Sequence, residues 1–129
     1  MADRDRRILY SSRHYPGRVH DKVVLENESE TKKLPQKIQK LFDLAFLGLE
    51  AEYENVIMPK KKPKGHELTE RQKISNKNIS RVRVKIENAF AGVKRLRIVY
   101  HVSRTKRDHF IDQTFSVACG LWNYYLATK

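Results

Sequence analysis

The stretch from Ser80 to Tyr100, SRVRVKIENAFAGVKRLRIVY, constrains the fold more than any other part of the chain. Its apolar residues Val82, Ile86, Ala89, Phe90, Val93 and Leu96 recur at helical intervals. Such spacing lines one side of a helix that turns about 100° per residue. It predicts a helix packed on a core. Arg83, Glu87 and Lys94, at offsets of 4 and 11, share another side. One carboxylate thus stands between two bases in an otherwise basic helix, an arrangement suited to holding a metal ion beside a polyanion such as DNA. Spacing alone favours a plainer reading. Arg83 and Glu87 are an i, i+4 pair, and a solvated pair of this kind contributes roughly 0.2–0.5 kcal/mol. Upstream, Thr69 and Gln72 form a capping-box pattern that opens the helix. Gly92 and the β-branched residues weaken it locally, so the pattern predicts an end between residues 95 and 100.

Charge narrows the partners. The 129 residues carry a formal net charge of +12, with 33% charged and 40% hydrophobic residues. A single domain of this size buries roughly two-thirds of its unfolded surface. The charge predicts attraction to nucleic acid or to an anionic membrane. No apolar run approaches the roughly 18–20 residues of a membrane span, and the opening MADRDRR lacks a signal peptide's apolar stretch. DNA is therefore the expected partner, with no membrane, in a cytoplasmic, nucleoid-associated setting. Cys119 is the single cysteine, which excludes a disulfide framework and a CxxC site. The five histidines are scattered without zinc-ligand spacing. From Lys60 to Arg97 there are 13 Lys or Arg against three acids. Within that segment, Lys60, Lys61, Lys62 and Lys64 lie in a proline-rich run that predicts an exposed loop. Such a loop either touches phosphates or serves as a solubilising surface.

The remaining elements read in order. RILYSS, with Ile8, Leu9 and Tyr10, predicts a strand, and Pro16-Gly17 a turn. HDKVVLENESE predicts a short helix with Asp21 near its start, where a carboxylate favours the dipole. ETKKLPQK is a polar connector. In KLFDLAFLGLE, Asp43 ends an apolar strand, the position at which open α/β sheets place ligands. An N-cap after the strand is the competing role for Asp43. A second strand is expected at Asn55 to Met58, stopped by Pro59. From Ser103 onward the chain reads as an amphipathic helix with Ile111, Phe115, Ala118, Trp122 and Tyr125 toward the core.

Several of these pieces together resemble bacterial insertion-sequence transposases of the DDE superfamily. R-x3-E-x6-K, here Arg83, Glu87 and Lys94, is similar to the signature around that family's third acidic residue, with Ser80 where such families often carry Tyr. PG-x-x-HD (residues 16–21) resembles a segment between the first two acidic residues. DLAFLG resembles the second acidic motif, D-x-G-[FY]-x-G, with Ala45 where Gly is usual, a difference that matters if the position needs φ > 0. Cys119-Gly120-Leu121-Trp122-Asn123 resembles the closing motif. The resemblance runs from about Arg7 to Tyr124.

The resemblance implies an RNase H-like α/β fold in which three carboxylates bind two Mg2+ or Mn2+ and DNA strands are cleaved and transferred. Asp43 and Glu87 would be catalytic metal ligands. Arg83 and Lys94 would orient the carboxylate or grip the DNA backbone, and His20 and Asp21 would support the site unless they merely cap a helix. The family's first Asp lies several tens of residues before the HD pair, yet only 19 residues precede His20. Asp3 and Asp5 belong to a later strand and should lie too far away. Residues 1–129 are therefore expected to be the C-terminal part of a DDE transposase catalytic domain, truncated at its N-terminus. The expected fold is a partial RNase H-like one, a mixed sheet lacking its first strand or strands, with long C-terminal helices. Such a chain would be inactive alone, with transposon ends and target DNA as partners and an upstream transposase fragment as a further one. A non-catalytic basic DNA-binding protein is the alternative function. A small basic structural protein, in which Glu87 is merely paired, is a third.

Overall fold

The computed structural model describes residues 1–28, 33–48, 51–99, 105, 107 and 109–129. The chain is mixed α/β and divides into two compact units, Tyr15–Ser80 and Met1–His14 with Arg81–Lys129. In chain order the regular elements are helix α1 (Asp21–Asn27), strand β1 (Lys40–Leu41), a 3-10 turn (Leu44–Phe46), strand β2 (Val56–Ile57), helix α2 (Glu70–Lys94), a second 3-10 turn (Arg97–Val99) and helix α3 (Phe110–Ala127).

In the 15–80 unit, β1 and β2 pair in parallel, with Lys40 opposite Val56 and Leu41 opposite Ile57. The expected second strand is present over Val56–Ile57, ending two residues before Pro59. Among the described residues the sheet is this two-stranded pair. Phe42 carries the chain out of β1 into an aromatic cluster, 5.5 Å edge-to-face from buried Tyr53 and 5.6 Å from Phe46. Lys40 is buried, at 8% exposure, because its ammonium donates to the Glu54 carbonyl at 3.1 Å and the Ile38 carbonyl at 3.5 Å. Those carbonyls replace the water that a buried charge gives up.

The capping box opens α2 as expected. Thr69 N–H donates to Gln72 Oε1 at 3.0 Å, and Gln72 N–H donates back to Thr69 Oγ1 at 3.3 Å. Two otherwise unpaired amide groups are satisfied reciprocally. The 25-residue helix is about 37 Å long. It ends at Lys94, followed by the 3-10 turn, close to the expected limit; Tyr100 lies outside the described residues.

The core of the other unit joins Ile8, Ala89, Val93, Ala118, Cys119 and Trp122. Two expectations about its lining need correcting. On α2, Ala89 and Val93 are buried, and Val82 and Ile86 half-buried, as is Leu96 just beyond the helix, but Phe90 remains 36% exposed. On α3, Ala118 and Trp122 are buried and Phe115 packs on the core, whereas Ile111 and Tyr125 are exposed at 38% and 40%. Cys119 takes the buried place instead. The reason lies at Gly92, itself buried: a Cβ there would stand closer than 3.0 Å to three carbons of the Trp122 ring. The missing side chain admits the indole, and α3 turns the Ala118–Cys119–Trp122 face inward to place it. Gly92 is thus a packing site as well as a helix weakener. Helix α3 begins only at Phe110, after His109 in a left-handed conformation with φ 59°. Of its expected earlier turn, residues 103, 104, 106 and 108 lie outside the described residues, as do residues 30–32 of the polar connector.

The expected N-terminal strand is not formed. Ile8 makes an isolated antiparallel bridge with Ala2, and the segment is a closed hook. Its hydrogen bonds go elsewhere. Ile8 N–H donates to Asn123 Oδ1 at 2.8 Å, and Asn123 Nδ2 donates to the Ile8 carbonyl at 2.9 Å. Trp122 Nε1 donates to the Arg6 carbonyl at 2.8 Å. Side chains of α3 therefore do for Ile8 what a neighbouring strand would do.

Candidate functional site

Asp43 stands two residues past the end of β1 and caps the 3-10 turn, its Oδ1 accepting from Leu44 N–H at 2.6 Å. It is half-buried. The carboxylate thus sits just past the C-terminal end of a parallel strand and fills the N-cap role read from the sequence. Ala45 is unstrained. The loop's left-handed residue is Gly48, at φ 94°, while Ala45 has no positive φ. The usual Gly is therefore not required at position 45. Helix α1 packs against this turn. His20 caps α1 through Nδ1, which accepts from Lys22 N–H at 3.2 Å, and Asp21 stands exposed in the first turn. The HD pair and Asp43 thus lie on two elements in contact within one unit.

Glu87 lies midway along α2 and is mostly exposed, at 64% of its side chain, with the Arg83 guanidinium 3.5 Å from Oε1. The ion pair exists, and at that exposure it contributes roughly 0.2–0.5 kcal/mol. Lys94 is the last residue of α2 and exposed, where a cation complements the helix dipole. Asp43 belongs to the 15–80 unit and Glu87 to the other. Among the described residues, no three of His, Cys, Asp and Glu gather as a metal-binding group.

Lys60, Lys61, Lys62 and Lys64 occupy an exposed segment without regular structure. Asn76 on α2 anchors its start, accepting from Lys60 N–H at 2.8 Å and donating to the Lys60 carbonyl at 2.9 Å. Lys62 pairs with Glu67. Of the 13 cations from Lys60 to Arg97, twelve are exposed and Arg83 is half-buried. The segment's net charge, 13 − 3 = +10, makes up most of the chain's 27 − 15 = +12.

Sequence reasoning weighed Asp3 and Asp5 only as substitutes for the first acid. Asp3 Oδ1 accepts from both Asp5 N–H and Arg7 N–H at 2.9 Å. It shapes the hook, and the turn carries Arg4, Arg6 and Arg7 outward. The signal for this turn is Asp3 itself, since an Asp carboxylate readily accepts from the backbone amide two residues on. On α3, Tyr125 is held below its ordinary pKa by a hydrogen bond from Lys129, and by the charges of Lys129, Arg95 and Arg6. Burial raises the Cys119 thiol, with the N-terminal ammonium opposing.

Comparison with known proteins now identifies the class. Residues 1–123 match the family model described as DDE superfamily endonuclease, and the chain belongs to that family. It is also 28% identical, over 116 residues, to a protein of Microchaete diplosiphon described as a probable transposase for insertion sequence element IS702. That similarity covers 90% of this chain and 41% of the relative, so the chain spans well under half of the relative's length. No solved structure matches the chain. Endonucleases of this superfamily generally use divalent metal ions. Among the described residues no helix is long and apolar enough to cross a membrane.

Proposed function

We propose that the chain is part of the RNase H-like catalytic domain of a transposase, which cleaves DNA strands and joins them to a target. The observation that carries this reading is the family match over residues 1–123, which takes in the strand-end Asp43 and the helix-borne Glu87. In this reading both carboxylates are ligands for Mg2+ or Mn2+. Their chemistry suits the ion, since carboxylate oxygens are the hard donors that hard divalent cations take. Their number does not complete a three-acid site among the described residues. Divalent ions held by these carboxylates would supply Lewis acidity to the attacking and leaving oxygens at phosphorus.

The chain's own groups do the positioning. The Leu44 amide fixes one oxygen of Asp43, so that the carboxylate presents a set orientation. Arg83 steers the Glu87 carboxylate from 3.5 Å. His20 and Asp21 support the Asp43 turn through α1. Lys94 and the Lys60–Lys64 segment neutralise DNA phosphates. The partners are transposon ends and target DNA, which implies association with the nucleoid. A third carboxylate comes from outside the described residues.

The test is nicking of supercoiled plasmid with Mg2+ or Mn2+. The chain alone should leave the plasmid intact. Cleavage by the chain alone that Glu87→Ala abolishes would overturn the incomplete-site reading. A second reading, non-catalytic DNA binding, is favoured by the twelve exposed cations from Lys60 to Arg97. It requires binding that weakens steeply with salt and that is unchanged by Mn2+, Asp43→Asn or Glu87→Gln.

A further inference from the structure

The N-terminal hook and α2 enclose a feature that the carboxylates do not use. An open groove of about 440 Å3 is lined by Arg4, Asp5, Arg6, Arg7, Lys85 and Asn88, with Leu126 at its edge. It lies wholly within the unit formed by residues 1–14 and 81–129. Four cations and one carboxylate give it a charge of 4 − 1 = +3. All four cations are exposed, and none joins an ion pair among the described residues. Unpaired like charges repel, so their gathering needs a structural cause.

The cause is the hook. Asp3 Oδ1 holds the amides of Asp5 and Arg7, and Arg6 N–H donates to the Asp3 carbonyl at 3.2 Å. Arg6 takes the left-handed conformation at φ 69°, unfavourable for a side-chain-bearing residue. Trp122 Nε1 fixes the Arg6 carbonyl and Asn123 fixes Ile8. Two buried or half-buried polar side chains are committed to hold a turn whose outer side is arginine.

We propose that this groove, whose lining includes neither proposed metal ligand and none of Lys60, Lys61, Lys62 and Lys64, is a contact surface for the phosphate backbone of duplex DNA. Three guanidiniums offer forked donors that match phosphate oxygens, Lys85 adds a point charge, and Asn88 adds a neutral polar group. No aromatic ring lines the groove, so it lacks the platforms on which single-stranded bases stack. It tracks the backbone and carries no sequence preference. The inference rests on the reading of this chain as a DNA-acting protein.

The test measures affinity for a labelled duplex across a salt series by anisotropy, with full-length chain. Arg4→Gln/Arg7→Gln/Lys85→Gln removes three contacts and should lower the slope of log K against log salt by about 2 to 3. Arg18→Gln/Lys37→Gln/Arg107→Gln removes the same charge elsewhere and should leave the slope as in wild type. Equal slopes for wild type and the groove variant would overturn the groove while leaving DNA binding standing, as would an equal loss in the control. Absence of any duplex binding by wild type would remove both the groove and the broader reading. A second measurement needs no variant: duplex should protect Arg4, Arg6 and Arg7 from phenylglyoxal, read by mass spectrometry. Undiminished modification at all three in the bound state would also overturn the proposal.

Discussion

Gly92→Ala gives a prediction whose sign separates packing from propensity. In an exposed helix, Ala for Gly stabilises by about 1 kcal/mol. At position 92 the new Cβ falls within 3.0 Å of Cζ3, Cε3 and Cη2 of Trp122. Restoring ordinary carbon spacing of about 3.5 Å requires a relative shift of the ring of roughly 1 Å. The ring is not free to make it. Its Nε1 is bonded to the Arg6 carbonyl at 2.8 Å, and a retreat of that size stretches or tilts the bond beyond useful geometry. Overpacking costs about 1–3 kcal/mol, and the lost hydrogen bond about 1 kcal/mol. Set against the propensity gain, the net is a destabilisation of about 2 kcal/mol. Trp122 is the chain's single tryptophan, so urea unfolding followed by its fluorescence reports this site directly. A variant as stable as wild type, or more stable, would refute the packing argument.

Three further predictions concern the frame around the candidate site. Asn123→Ala removes both partners of the Ile8 backbone; stability should fall by about 1–3 kcal/mol in urea, and amide exchange at Ile8 should accelerate. Thr69→Ala should cost about 1 kcal/mol and speed hydrogen exchange at Gln72, because one half of the capping box is lost. The Cys119 thiol is raised above its ordinary value of 9.0, chiefly by burial. The folded state keeps the proton that the unfolded chain releases, so this group's stabilisation is complete below pH 9.0 and is lost as pH rises through the folded value. The stability difference between wild type and Cys119→Ala should therefore shift against wild type above pH 9.0, measured by urea unfolding across pH; a constant difference would contradict the burial effect.

Local signals in the sequence carried well into the structure. Thr69 with Gln72 opened α2 as a capping box, because that motif depends only on residues three apart. The two short strands and the end of the second before Pro59 followed from short apolar runs; their parallel pairing did not. Asp43 at the strand end was legible for the same reason. What failed depended on distant partners. RILYSS has a strand's composition, yet the Ile8 backbone is satisfied by Asn123, 115 residues away, while Leu9 and Tyr10 N–H donate to the Met1 carbonyl. The buried face of α3 turned toward Cys119 because the hole at Gly92 accepts the Trp122 ring, which periodicity cannot foresee. The Arg4–Arg7 turn escapes periodicity because it is shaped by backbone amides donating to the Asp3 carboxylate and carbonyl. Glu87 was read as either a ligand or half of an ion pair; the pair with Arg83 is present, and the ligand role stays with the proposal.

In the proposed function Asp43 and Glu87 are both ligands for divalent metal ions. Titrating Mn2+ into isotopically labelled chain and following paramagnetic broadening of backbone amides tests it. Amides around residues 43 and 87 should broaden together at the same Mn2+ concentration, and Asp43→Asn should relieve the broadening at both places. Broadening at one position that persists unchanged when the other carboxylate is removed would contradict the claim.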